Sequence, residues 1–360
     1  MTPDPTRLEP PYGARDAHDM ARLVEAIPEH IEQAVARTDA APWLLPAGAP
    51  DLVAVGGMGG SAIAADLTAA LYSDTLPRPW LTVRDYRWPA CVNAASLAVL
   101  SSNSGNTEET LALEAQARER GIPSVALTSG GELARRAAER SLHCQQVPGG
   151  LPPRATLFHA WVPMTRLAGA LGWAPDSAPA WREAAALLGR RRSELGIGAA
   201  EQGNPAKQLA RACHGRLVFV YSSAGPLSAV GLRWRQQLNE NAKLLGHCAA
   251  VPELNHNEIV GWQAAGPLHR GISVIVLRDR EDPSEHATRL DLTAQYAVRQ
   301  GAEVHEVSSV GESRIARLAS LVQFGDYFSL YLALLGGVDP TDITSIDEFK
   351  RRLAEQAKAC

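Results

Sequence analysis

The sequence predicts an α/β protein in two halves, each a parallel β-sheet flanked by α-helices. Short apolar runs alternate with helix-period segments along most of the chain, the pattern of parallel sheets joined by helical crossovers. Two long helical stretches, from Arg154 to Trp173 and from about Ala180 to Leu195, interrupt the alternation once, and it then resumes. The length of 360 residues agrees with two domains at roughly 150 residues each.

Taken in order, Met1 to Arg15 is Pro-rich at its start and reads as a flexible arm. An amphipathic helix is expected from about His18 to Thr38, with Leu23, Ile27, Ile31 and Ala34 recurring at spacings of three and four. Asp51-LVAVG reads as a buried strand that enters a glycine-rich turn and the apolar helix Ser61 to Tyr72. Strands at Leu81 to Val83 and Leu97 to Leu100, a helix from Thr107 to Arg120, the strand Pro123-SVALTS and a helix from Glu132 to Arg140 complete the first half, assigned to residues 16–175. In the second half, residues 176–360, the expected order is strand Leu217-VFVYSS, helix Ala229 to Leu245, strand Cys248 to Val251, strand Ile272-SVIVL, helix Ser284 to Arg299 and strand Glu303 to Val307. Two terminal helices follow, Arg314 to Leu335 and Ile346 to Lys358.

Composition removes several functional classes. With 46% hydrophobic and 21% charged residues the chain is ordinary globular protein. Thirty-five basic against 39 acidic residues give a net charge of −4, interspersed, so no basic face marks a nucleic-acid partner. Five scattered cysteines without a C-x-x-C pair indicate neither a disulfide framework nor structural zinc. They suit a reducing compartment. The N-terminus has no basic segment leading into an apolar one, and uninterrupted apolar runs fall short of the ~20 residues of a membrane span. The expectation is a cytoplasmic protein without a membrane partner.

Two turns carry chemistry. Gly56-GMGGSAIAAD joins a strand to a helix, where backbone N–H groups unobstructed by Cβ atoms approach an anion. Read strictly, Gly57 to Ala62 fits G-x-G-x-x-A, with Asp85 available for a ribose, so either a nicotinamide site or mere tight helix–strand packing fits this turn alone. Ser101-SNSGNTEET follows the next buried strand and opens another helix. It puts the hydroxyls of Ser102, Ser104 and Thr107 at a positive helix end, with the amides around Gly105 and Asn106. Helix capping by Asn106 or Thr107 needs one such side chain, whereas four hydroxyl or amide side chains lie close together here, which favours a phosphate monoester.

Strand-GMGGSAI-helix followed by strand-S-x-SGNTEETL resembles the sugar isomerase (SIS) domain and, more narrowly, the bifunctional phosphoglucose/phosphomannose isomerases. Pro148-GGLPPRA, Leu238-NENAK, Pro252-ELNHNEIVGW and Ser345-IDEFKRRL follow in family order. The resemblance implies two SIS subdomains, a phosphosugar substrate held at Gly60, Ser61, Ser102, Ser104 and Thr107, and a homodimer with active sites at the interface. It implies no cofactor and no metal. Asn103 departs from the pattern, standing where the family usually has an aromatic residue.

Aldose–ketose isomerisation moves a proton between C1 and C2 of an open-chain sugar; it needs a base, a stabiliser of the enediolate and groups that open the ring. Glu240 matches the family base; taken alone it would read as a surface glutamate paired with Lys243. His256, in the polar cluster Asn255 to Glu258, matches the histidine that opens the ring from the partner subunit. Glu258 either orients it or caps the helix beginning near Ile259. Arg154 resembles the arginine facing the enediolate, and Lys350 the lysine assisting ring opening. The implied function is interconversion of glucose 6-phosphate and mannose 6-phosphate with fructose 6-phosphate. The alternative is a non-catalytic SIS-domain regulator that binds sugar phosphate, which would keep the serines without the base. A glucosamine-synthase isomerase domain would bring a glutaminase nucleophile, and a zinc-dependent phosphomannose isomerase clustered His and Glu ligands; neither is seen.

Overall fold

The computed structural model describes residues 8–263 and 266–359. Two all-parallel sheets lie on either side of a layer of helices. The first contains β1 (Leu52–Gly56), β2 (Trp80–Val83), β3 (Ser96–Ser102), β4 (Ser124–Thr128) and β5 (Cys144–Gln146) in the order β2-β1-β3-β4-β5. The second contains β6 (Leu217–Ser223), β7 (Gly246–Val251), β8 (Ile272–Arg278) and β9 (Glu303–Ser308) in the order β7-β6-β8-β9. Strand order reverses between β1 and β3, and again between β6 and β8. Such reversals open a crevice at the carboxyl ends of the strands, where α/β proteins bind ligands.

Burial on both faces explains the unbroken apolar runs. Val53 and Val55 enter the central core, while Leu52 and Ala54 enter a smaller core on the outer face. The second sheet has its own outer core around Tyr221, Val274 and Val276. The central layer includes Ile27–Ala40, Gly59–Leu71, Leu157–Ala170, Ala178–Leu195, Pro226–Glu240 and Arg314–Leu335. The last is long and apolar enough to cross a membrane, yet it is wholly buried in the protein, with Arg317, Gln323 and Asp326 along it.

Several expected elements differ in extent. The first helix is two, Met20–Glu25 and Ile27–Ala40, broken at Ala26. Pro28 has no N–H to offer and crowds the carbonyl four residues back. Arg154 to Trp173 begins as a short 3₁₀ turn, Pro153–Thr156, before the helix Leu157–Ala170. The helix expected to reach Leu245 stops at Glu240, because Lys243 takes a left-handed conformation with φ of 55°. The short strand β5 and the helix Pro205–Cys213 are additional. Of the arm expected over residues 1–15, residues 1–7 lie outside the described residues. Leu8 and Tyr12 are buried in the central core.

Candidate active site

Both chemistry-bearing turns follow the two strands that flank the first sheet's reversal point. The glycine turn leaves β1 and the serine turn leaves β3, and they touch: a Cβ on Gly57 would lie 2.7 Å from the Ser101 carbonyl. In the second turn the Ser102 and Thr107 hydroxyls are 2.8 Å apart, Ser102 Oγ accepts from Gly105 N–H at 3.1 Å and Ser104 Oγ accepts from Asn106 N–H at 3.2 Å. Gly105 has φ of +68°, and a Cβ there would run into the Gly130 carbonyl, so only glycine closes the turn. Simple capping does not account for the set. Thr107 is the N-cap residue of Glu108–Glu119 but makes no side-chain capping bond. Asn106 instead serves the following helix, accepting from Glu132 N–H at 3.0 Å. Ser102 is buried, Thr107 half-buried and Ser104 exposed, so the hydroxyls grade outward from the sheet. Asn103 Oδ1 is buried without a hydrogen-bond partner.

The glycine turn also explains where Arg154 sits. A Cβ on Gly60 would be 2.7 Å from the Pro153 carbonyl, so this glycine lets the helix start lie directly against the turn bearing Arg154. Arg154 is 2% exposed. Its Nε donates to Asn241 Oδ1 at 2.8 Å, its Nη2 donates to the Pro340 carbonyl, and its Nη1 is 3.5 Å from a Glu240 carboxylate oxygen. Burial lowers the pKa of this guanidinium, and Glu240 opposes that shift. Glu240 is half-buried at the last turn of its helix. It makes no side-chain pair with Lys243, whose Nζ donates to the Glu240 backbone carbonyl at 2.6 Å. Contacts thus run without a gap from Ser101 through Gly57, Gly60 and Arg154 to Glu240.

Behind Arg154 lies a polar network that the sequence did not expose. Asn241, 0% exposed, donates through Nδ2 to Ser329 Oγ at 3.0 Å. Arg233 Nη2 donates to the Arg154 carbonyl at 2.8 Å and pairs with Asp326 at 3.1 Å, and Gln237 Nε2 donates to Asp326 at 2.8 Å. Burial raises the Asp326 carboxyl, opposed by Arg233 and Gln237. The available signal was Arg317, Ser320, Gln323, Asp326 and Ser329, polar at every third position of a mostly apolar helix.

His256 lies elsewhere, and Lys350 bonds to neither Glu240 nor Arg154. The helices Gly59–Leu71 and Pro226–Glu240 pack together, and a Cβ on Gly225 would lie 3.8 Å from Ser73 Oγ, so they run antiparallel. Glu240 therefore approaches the start of the first helix, at the N-terminal edge of the second sheet. His256 follows β7, at the opposite edge. The six-residue strand alone separates the two ends by about 16 Å at about 3.3 Å per residue. The histidine is exposed. Lys350 is exposed on Thr344–Ala359 and makes no hydrogen bond or ion pair among the described residues. The structure joins Glu240 to Arg154 within one chain, places His256 at the opposite edge of the second sheet, and gives Lys350 no hydrogen bond or ion pair with either of them.

The second sheet's reversal point is filled differently. Asp282 accepts from Ser223 Oγ at 2.5 Å, while Asp279 accepts from Ser309 Oγ at 2.5 Å and from the buried Arg317 at 2.9 Å. Carboxylates there occupy the donors that a phosphate would use. Asp85, the residue a ribose would require, is exposed and accepts from the adjacent Tyr86 N–H. Among the described residues no three His, Cys, Asp or Glu side chains are grouped to hold a metal ion.

Comparison with known proteins gives the family and the fold. Residues 202–353 match the bacterial phospho-glucose isomerase C-terminal SIS domain. The chain is 35% identical over 305 residues to the bifunctional phosphoglucose/phosphomannose isomerase of Caldicellulosiruptor bescii, covering 85% of this chain and 90% of that one. It is 31% identical to the protein of the same name from Aquifex aeolicus, covering 84% and 90%. The crystal structure of tagatose-6-phosphate ketose/aldose isomerase from Escherichia coli superposes with a TM-score of 0.68 at 16% identity over 90% of this chain and 96% of that one, a likeness of fold. The chain belongs to the bifunctional phosphoglucose/phosphomannose isomerase family.

Proposed function

We propose that this isomerase interconverts glucose 6-phosphate and mannose 6-phosphate with fructose 6-phosphate by moving one proton through an enediolate, with Glu240 as the base. The observation that carries the reading is the Glu240 carboxylate 3.5 Å from the buried Arg154, on an unbroken path of contacts to the serine–threonine turn.

The phosphate seats at Gly60, Ser61, Ser102, Ser104 and Thr107, where hydroxyls and a helix N-terminus favour negative charge. That fixes the far end of the sugar and sets C1 and C2 toward Glu240. In the forward direction Glu240 takes the C2 proton, the C2–H electron pair forms the C1–C2 double bond, and the C1 carbonyl oxygen gains negative charge. Arg154 faces that charge, stabilising it more in the transition state than in the ground state. The O2 hydroxyl proton passes to the charged O1, and return of the abstracted proton to C1, as the C2 oxygen becomes the carbonyl, yields the ketose. The enediolate is planar at C2, so one base serves both epimers. The reaction is redox-neutral within the substrate and calls for no electron carrier.

Ring opening precedes this step. His256 is the proposed acid–base group, assisted by Lys350. Its position beyond the far end of β7 supports delivery from a second copy of the chain, with residues 16–175 and 176–360 as the two halves of each subunit. The test is a coupled assay with glucose 6-phosphate and mannose 6-phosphate, with and without EDTA. Turnover of both sugars, undiminished by chelator, is expected. Turnover of neither would favour a sugar-phosphate-binding regulator.

A further inference from the structure

Glu258 lies two residues beyond His256, and its carboxylate neither touches that histidine nor caps a helix. One oxygen accepts from the Tyr221 hydroxyl of β6 at 2.5 Å, and the other meets Nε2 of His247 on β7 at 2.8 Å. Cross-strand register pairs Phe219 with His247 and Tyr221 with Ala249, which puts Tyr221 and His247 on the same face of the sheet. Tyr221 is fully buried, and its hydroxyl also accepts from Trp262 Nε1 at 3.1 Å. Burial pushes the Glu258 carboxyl up, but the hydrogen bonds from His247 and Tyr221 outweigh it and hold the group below its usual range.

The rest of the loop is fastened in the same manner. Asn255 Nδ2 donates to Thr293 Oγ1 at 2.8 Å on the helix Ser284–Arg299. Asn257 Nδ2 donates to Glu253 at 2.7 Å, while its Oδ1 accepts from Glu258 N–H. Leu254 and Trp262 are buried on either side. The His256 side chain is exposed and makes no hydrogen bond or ion pair among the described residues. Asn255, Asn257 and Glu258 are each tied down by a side-chain hydrogen bond, and the exposed imidazole is not.

We propose that Glu258, clamped between Tyr221 and His247, is the positioning residue for His256, fixing the loop so that the imidazole is presented to a sugar bound beyond its own chain. The inference rests on the isomerase reading above. A histidine at the tip of a loose loop would have to be ordered during each ring opening, whereas a clamped loop carries no such cost at the moment of reaction. Protons are exchanged by His256; Glu258 keeps its charge and exchanges none.

The experiment compares Glu258→Ala, Glu258→Gln and Tyr221→Phe in the full-length chain by three readouts. Anomerisation of glucose 6-phosphate, followed by exchange NMR, needs ring opening but no transfer of the C2 proton. Steady-state kinetics give kcat and KM for both aldose phosphates, and thermal unfolding reports the folded fraction. Glu258→Ala is expected to slow anomerisation and kcat together by about ten- to a hundredfold, as misplacement of a reacting group does, with KM unchanged. Glu258→Gln, which keeps an acceptor for Tyr221, recovers part of both. Should Glu258→Ala not fold, Glu258→Gln and Tyr221→Phe are judged by the same criteria. Wild-type anomerisation per folded chain in these variants overturns the proposal, as does a fall in kcat with anomerisation intact. If the wild type itself neither anomerises nor turns over either sugar, the isomerase reading falls and this inference with it.

Discussion

Asn241 holds Arg154 to the core: its Oδ1 accepts from the guanidinium Nε at 2.8 Å, and its Nδ2 donates to Ser329 Oγ at 3.0 Å. The amide is fully buried and adjoins Glu240 in sequence, so the residue that follows Glu240 also fixes the plane of the neighbouring cation.

Replacing Asn241 by Ala strands a buried donor, Arg154 Nε, and a buried acceptor, Ser329 Oγ, at a cost of about 1–3 kcal/mol for an unsatisfied group. The expected result is a lower kcat with KM nearly unchanged, because Arg154 loses its orientation while the phosphate site stays intact. Asn241→Asp, which preserves the acceptor for Arg154, is expected to restore part of the loss. Steady-state kinetics with either aldose phosphate, beside a denaturation curve, check this; a rise in KM alone would contradict it.

In the proposed mechanism the hydroxyls of the serine turn act on a group common to every substrate. Alanine at Ser102, Ser104 or Thr107 removes a hydrogen bond to a charged group, worth about 1.5–3 kcal/mol, and KM should rise by the same factor for glucose 6-phosphate and mannose 6-phosphate. Inorganic phosphate should protect the wild type against thermal unfolding and leave the triple alanine variant unprotected. Equal protection of both would place the phosphate elsewhere.

Because β7 separates Glu240 from His256 within one chain, the two defects should complement each other. His256→Ala and Glu240→Gln subunits, each inactive alone, should regain activity when mixed and allowed to exchange, since some heterodimer sites carry both wild-type groups. Lack of recovery despite demonstrated exchange would assign His256 to its own chain.

A buried histidine pair predicts acid sensitivity. The rings of His30 and His159 lie 4.9 Å apart, and neither nitrogen of His159 has a hydrogen-bond partner among the described residues. Burial, with His30 and Arg37 nearby, pushes His159 down to about 3, and burial also lowers His30. The unfolded chain takes up these protons below its ordinary histidine pKa of about 6.5, while folded His159 does not. Stability is therefore full above that pH and falls toward pH 3, by about 1.4 kcal/mol per pH unit for each histidine still neutral in the fold. His159→Phe should flatten the fall of Tm between those limits; an identical acid limb in both proteins would contradict the assignment.

Much of the fold was legible because its strands are buried on both faces and read as continuous apolar runs, as in Leu52–Gly56 and Ile272–Arg278. The helix Pro205–Cys213 carried a readable start, Asn204 followed by Pro205, and Asn204 does accept from Ala206 and Lys207 N–H at 3.0 Å. Pro28 likewise marked the break at Ala26, but the periodicity of Leu23, Ile27 and Ile31 runs straight through it. Strand β5 has three residues, only one of them buried, and leaves no period to detect. In the candidate site, the turns and Arg154 were legible as local motifs. The partners of Asn241 and Glu258 were not: Ser329 is 88 positions from Asn241, and Tyr221 is 37 from Glu258, distances at which only the folded chain shows the contact.

The central claim, that Glu240 moves the C2 proton, is tested most directly by exchange of that proton with deuterated solvent in wild type and Glu240→Gln, each saturated with glucose 6-phosphate. Glutamine keeps the shape and removes the base, a group worth roughly 10²–10⁴-fold. Exchange and turnover should collapse together by that factor, while anomerisation and protection by phosphate persist. Exchange in Glu240→Gln at the wild-type rate would contradict the account and leave Glu240 as no more than the ionic partner of Arg154.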